Sequence, residues 1–237
     1  QIGVGHSHAE GKMRVYRNSP EFDVVGIVEP DDSLRRKAQS MPTYRDLPWM
    51  TQEQLLNQPG LQAVAVETSV SDLLAAAEAA VDAGLHIHLD KPAGTSLPRF
   101  ESILHTADSM RRTVQMGYMY RYNPGVLLLK DLLQKGWLGE IFEVHTVMSK
   151  DVGDSKRQKW ANFSCGTMFE LGCHLVDLVV GLLGRPEKVT AFNQHAGAND
   201  DTLKDNMLAV MTYPRAIASV KSSALEIEGF DRRHLTV

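Results

Sequence analysis

IGVGHSHAEGKMRVYRNSPEFDVVGIVEP (residues 2–30) is the stretch whose reading decides the fold. A short apolar run ends in two closely spaced glycines, a helix-compatible segment follows, and a second apolar run, VVGIV, ends in Glu29. Strand, glycine turn, helix and strand make a β-α-β unit, whose crossover joins parallel strands with a right-handed turn. In such a unit the first glycine, Gly3, allows the tight turn, and the second, Gly5, lets the backbone approach a pyrophosphate. The helix behind them offers amide donors and the positive end of its dipole to the phosphates. Glu29 stands 24 residues beyond Gly5, where an acid accepts from ribose hydroxyls and repels a 2′-phosphate. His8 occupies the third fingerprint position, where a small residue is usual, with Ala9 behind it. His6 and His8 are accordingly read as cofactor-proximal. Arg35 and Arg36 are the residues that would favour a phosphorylated ribose.

Working outward, the same alternation continues. Apolar runs at 2–4, 24–28, 63–66, 85–89 and 114–119 are separated by helix-like segments at 9–17, 31–40, 71–83 and 96–110. Continuous apolar strands between amphipathic helices are the mark of a parallel sheet covered on both faces, and a doubly wound α/β sheet is the expected topology. Thr68, just past the 63–66 run, is placed with the cofactor site. Near residue 120 the periodicity changes. Helices are expected at 124–136 and 167–183, and strands at 140–148, 188–193, 206–213 and 217–224, with HLTV opening another. Strands in succession point to an α+β domain with a largely antiparallel open sheet. The expected organisation is a Rossmann domain over 1–120 and an α+β domain over 121–237 that stops inside its last sheet.

The bulk properties exclude some classes. With 237 residues, 43% hydrophobic and 23% charged, the chain has enough apolar material for a core. A net charge of −4 without a basic tract argues against nucleic acid or an anionic membrane as partner. The longest apolar segment, LVDLVVGLL, carries Asp177 and falls short of a membrane span. Two cysteines, Cys165 and Cys173, make no disulfide framework, and the expected location is cytoplasmic, a leader before Gln1 being left open.

Two further stretches carry chemistry. LHIHLDKPAG (85–94) ends an apolar strand in Asp90 and Lys91, with Pro92 restricting the backbone behind them. In a doubly wound sheet, ligands bind beyond the carboxyl ends of the strands, so these two residues stand where cofactor and substrate meet. GTMFELGCHLVDLVVGLLG (166–184) spaces Glu170, His174 and Asp177 by four and three, on one face of a helix. A carboxylate one turn from an imidazole orients the ring and raises its pKa, which suits a general acid/base. No metal site is read from these spacings.

The ordered set of IGVG, Glu29, LDKPAG, QMGYMYRYNP, LGEI and FELGCHLVDL resembles the Gfo/Idh/MocA family of NAD(P)-dependent oxidoreductases across nearly the whole chain. The family's Glu-Lys-Pro stands here as Asp90-Lys91-Pro92, and its DxxxH helix motif as Glu170…His174. The resemblance implies NAD, with NADP as the alternative, along the first domain, and substrate between nicotinamide and the second domain. It implies that Lys91 contacts the reacting oxygen, charge-balanced by Asp90, and that His174 is the acid/base, oriented by Glu170. Pro92 joins the cofactor side. Arg121, Tyr122, Asn123 and Asp177 would shape the substrate cleft. Lys150 and Trp160 would flank a polar, mobile stretch closing over it. Substrates implied are sugars, polyols and their derivatives, oxidised or reduced at a secondary alcohol or ketone by a dimer or tetramer built through the second domain's sheet. A non-catalytic NAD(P)-binding regulator and an NAD-dependent glycosidase are the rival readings.

Overall fold

Short runs of Val, Ile, Leu and Ala build the parallel sheet of the first half of the chain. In the computed structural model, which describes residues 1–237, β1 (Ala63–Val66), β2 (His86–Leu89) and β3 (Val114–Met116) pair in parallel in the order β1-β2-β3, with Val66 opposite Leu89 and Leu89 opposite Met116. Isolated parallel bridges extend this sheet: Ile2 pairs with both Val66 and Val28, and Ile27 with Trp49. The runs at 2–4 and 24–28, expected as strands, are therefore isolated bridges, at Ile2 in the first and at Ile27 and Val28 in the second. Gly3, with φ +85°, turns the chain away immediately after Ile2. Ile2 nonetheless lies between the Ile27–Val28 bridges and β1, which is the doubly wound arrangement.

Helices α1 (Ala9–Asn18), α2 (Asp32–Gln39), α3 (Gln52–Leu56), α4 (Leu73–Asp82) and α5 (Leu97–Ser109) fill the connections. Their ends follow local chemistry. Asp31 caps α2 by accepting from the Ser33 and Leu34 amides, Thr51 and Gln54 close a capping box on α3, and Ser96 caps α5. Alanine-rich α4 buries Leu73, Leu74, Ala76, Ala77, Ala80 and Val81, and its small residues let it pack closely on β1, β2 and α5. The core beneath it joins Ile2, Val28, Val64, Val66, Ile87, Leu89 and Ile103. Truncating one such buried leucine costs on the order of 2–5 kcal/mol.

The two halves form separate units, Gln1–Gly117 and Tyr118–Val237. The second contains α6 (Pro124–Gln134), β4 (Glu143–Val147), α7 (Asp154–Ala161), α8 (Cys173–Leu183), β5 (Lys188–Gln194), β6 (Asn206–Thr212), β7 (Ile217–Ser223) and β8 (His234–Thr236). Its five-stranded sheet runs β5-β6-β7-β4-β8; all neighbours are antiparallel except β4 and β7. Val144, Leu171, Leu175, Val179, Met211, Ala218 and Val220 form the core between this sheet and α8.

Two expectations are corrected in this unit. The stretch read as a polar, mobile flap is the helix α7, and Trp160 within it is 8% exposed and packed in the core. The Lys150 ammonium lies 5.0 Å from the Trp160 ring centroid. The helix expected over 167–183 opens with a π turn, Met168–Gly172, before α8 begins. Its i→i+5 bonding interrupts the 3.6-residue period between Glu170 and His174, so the simple one-face argument does not hold across that junction. Glu170 is half-buried within the π turn, and His174 is buried in the first turn of α8. No helix in the structure is long and apolar enough to cross a membrane.

Candidate active site

Along the carboxyl edge of the first unit's sheet, the glycine loop, Glu29, Thr68 and the Asp90-Lys91-Pro92 segment come together. The loop is pinned by Gly3 N donating to the Val28 carbonyl (2.7 Å) and His6 N to the Glu67 carbonyl (2.9 Å). A Cβ on Gly3 would lie 2.5 Å from Thr68 N, and one on Gly5 3.3 Å from Ser69 N. Gly3 thus requires glycine, and Gly5 leaves little room for a side chain, as a cradle for a pyrophosphate does. Glu29 is buried, accepting from Val4 N through Oε2 (2.9 Å) and from Asp31 N through Oε1 (3.0 Å). Ionised, it keeps lone pairs for further donors such as ribose hydroxyls. Arg35 bonds Asp32 and the Glu29 carbonyl.

Asp90 is 0% exposed. Its Oδ1 accepts from the Lys91 backbone N–H (2.7 Å), and its Oδ2 lies 3.1 Å from His6 Nδ1 and 3.0 Å from His8 Nδ1. Gly117 leaves it room, since a Cβ there would lie 2.8 Å from Oδ1. Burial by itself would raise the Asp90 pKa, but the hydrogen bonds and charge of His6 and His8 hold it well below the usual carboxylate range. Glu67, which the sequence reading passed over, is also 0% exposed. Burial, then the neighbouring Asp90 carboxylate, push its pKa up to about 9. Lys91 is buried at this edge, and its bond to Pro92 is cis. His86 and His88 pair elsewhere along β2. His86 Nδ1 accepts from Thr113 N (2.9 Å), and His88 meets Lys12 Nζ (2.6 Å) and Gln115 (3.1 Å).

In the second unit His174, 4% exposed, is held edge-on by two tyrosines, the rings of Tyr118 and Tyr120 each centred 6.0 Å away. Neither tyrosine was singled out from sequence, although both lie in the QMGYMYRYNP run. Burial, followed by the negative charges of Cys173 and Asp177, pushes the Tyr118 hydroxyl up to about 12. Arg121 and Asp177, both read as cleft residues, form a pair, with Nε 2.9 Å from Oδ2 and Nη2 2.5 Å from Oδ1; the guanidinium also lies 5.4 Å from the Tyr118 centroid. Tyr122 is exposed, and Asn123 caps α6 through the Gly125 and Val126 amides (2.9 and 3.3 Å).

Residues 2–118 match the oxidoreductase family model with an NAD-binding Rossmann fold, and residues 126–236 match the GFO/IDH/MocA C-terminal domain. The chain belongs to the GFO/IDH/MocA family. Its first unit is that family's NAD-binding domain, and the glycine cradle at Gly3 and Gly5 has the form such a cofactor needs. Among GFO/IDH/MocA relatives, the oxidoreductase YdgJ of Escherichia coli K12 is 27% identical over 222 residues, covering 90% of this chain and 61% of YdgJ. The scyllo-inositol 2-dehydrogenase (NADP(+)) IolW of Bacillus subtilis is 23% identical, over 76% of this chain and 52% of IolW. An Agrobacterium radiobacter oxidoreductase crystallised with NAD+, L-tartaric acid and magnesium superimposes with a TM-score of 0.80 at 18% identity, over 94% of this chain and 65% of its own. The chain thus spans about half to three-fifths of the length of the curated relatives it matches. They are oxidoreductases, and dehydrogenases of sugars and polyols are among them.

Proposed function

We propose that this chain carries the working residues of an NAD-dependent dehydrogenase acting on a secondary alcohol or ketone of a sugar, polyol or derivative. The observation that carries this reading is Lys91, a buried lysine just past the carboxyl end of β2, beside the end of β1 where Thr68 abuts the glycine cradle. The nicotinamide ring, when bound, accepts or returns a hydride. Lys91 stabilises negative charge as it develops on the reacting oxygen, an electrostatic contribution of several kcal/mol in a site closed to water. His174 takes the hydroxyl proton in oxidation and returns it in reduction. Tyr118 and Tyr120 fix the imidazole's orientation, and Glu170 assists as its partner carboxylate. Asp90 sets the charge and backbone position of Lys91 through the Oδ1 bond to the lysine N–H. Arg121 and Asp177 brace the 119–122 turn against α8, and Tyr122 offers the exposed ring of that turn. Glu29 excludes a 2′-phosphate, and the engagement of Arg35 by Asp32 supports NAD over NADP.

The test is a panel of polyols and sugars read at the NADH absorbance band, with cofactor affinity measured separately by calorimetry. Lys91→Met and His174→Ala should each lower turnover by 10²-fold or more, with NAD affinity changed far less. Wild-type turnover in both variants on the same substrate would sink this assignment.

A further inference from the structure

Three metal-binding side chains converge in the glycine loop. His6 Nδ1, His8 Nδ1 and a carboxylate oxygen of Asp90 all lie within 4.8 Å of one another, and both imidazole nitrogens approach the same oxygen, Oδ2, at 3.1 and 3.0 Å. Tetrahedral zinc with bonds of about 2.0–2.1 Å places neighbouring ligand atoms about 3.3 Å apart, so small shifts would admit an ion between these groups. The set is also unusual for its fold. The third fingerprint position calls for a small residue to keep helix and strand close, yet here it is a histidine whose ring turns to Asp90.

A second, independent feature points to the same place. The Glu67 carboxyl is 0% exposed, and no N–H donor reaches either of its oxygens, its hydrogen-bonding neighbour being the Asp90 carboxyl. Its Oε2 lies 3.7 Å from His6 Nδ1. Two buried carboxyls set side by side are costly and call for an explanation. A cation at the His6–His8–Asp90 junction supplies one, because it gives this carboxyl an electrostatic partner and a fourth ligand position.

We propose that His6, His8 and Asp90 bind a divalent transition-metal ion of the zinc class, with Glu67 completing or backing its coordination. Mixed imidazole and carboxylate ligands select zinc, cobalt or nickel over magnesium or calcium, which prefer all-oxygen sites. The ion ties the loop that cradles the pyrophosphate to the end of β2, so metal and dinucleotide binding are coupled reciprocally.

The experiment uses metal-stripped protein without dinucleotide. Titration with cobalt(II) chloride is followed by visible absorption, and with zinc(II) chloride by calorimetry. The expected result is one ion per chain with the intense visible bands of a tetrahedral cobalt site. Affinity should fall at least tenfold in His8→Gly, which restores the small residue of the fingerprint, and in Asp90→Asn. Circular dichroism confirms that each variant is folded, and either folded variant suffices. Absence of absorption and heat up to millimolar metal in the wild type overturns the proposal, as does undiminished affinity in the folded variants.

Discussion

At Gly3 a single missing carbon decides whether the loop can form. Its φ of +85° is open to glycine and strained for other residues, and an added Cβ would strike Thr68 N. Gly3→Ala should therefore lose about 1–3 kcal/mol in urea unfolding from the backbone term alone, with dinucleotide affinity falling alongside; an unchanged midpoint and affinity would show that the loop does not depend on this contact. Gly3, Gly5, Glu29 and Lys91 can be singled out in the sequence because each is marked by its distance from a strand or a neighbouring motif. Glu67 cannot. Only the parallel register, with Val66 opposite Leu89, sets the residues that follow each strand, Glu67 and Asp90, beside one another. The same pairing brings the loop histidines to an acid 82 residues away from His8, a contact that no local spacing announces.

Helix α7 shows at the level of elements what periodicity misses. DSKRQKWA has no apolar stripe, and only Arg157 and Trp160 are buried. What anchors it is ionic: Arg157 Nε lies 2.6 Å from Asp201 Oδ2 and Nη2 2.8 Å from Asp205 Oδ2, with Asp205 also accepting from the Ala196 and Gly197 amides. Both carboxyls titrate below the ordinary aspartate value. For Asp201 the leading cause is the Arg157 hydrogen bond; for Asp205 burial opposes the shift, but the amide and Arg157 hydrogen bonds outweigh it. Unfolded aspartates titrate near about 3.9, so in acid the unfolded chain binds more protons than the folded one. This contribution is complete above that value and is lost as pH falls through the lower folded values. The melting temperature should accordingly drop between pH 5 and pH 3, and Asp201→Asn should flatten that drop; an acid limb identical in the variant would remove Asp201 from the account. The π turn at Met168–Gly172 was equally hidden. The run reads as ordinary helix by composition, and nothing in its spacing marks the change of hydrogen-bond pattern.

For the whole molecule, the exposed face of the second unit's sheet is the feature with the widest reach. Every residue of β5 is exposed, with Val189 at 52% and Phe192 at 55%. We propose that this sheet carries the contact between copies, as the family resemblance implies. The chain should then elute with a mass at least twice its 26.3 kDa, and Phe192→Lys should reduce it to that of one copy; light scattering decides, and a single-copy wild type would refute it. The sheet also imposes an order of events. β4 is flanked by β7 and β8, both made much later, and His145 meets Ser219 across 74 residues of sequence. Closing so long a loop is entropically slow and raises contact order. At synthesis rates of about 5–20 residues per second, β4 leaves the ribosome several seconds before its parallel partner exists. For the later part of that interval the apolar flank of α8 is already made and lacks the strands that will cover it. Chaperone binding to the nascent chain is therefore expected while this unit waits for its last strands.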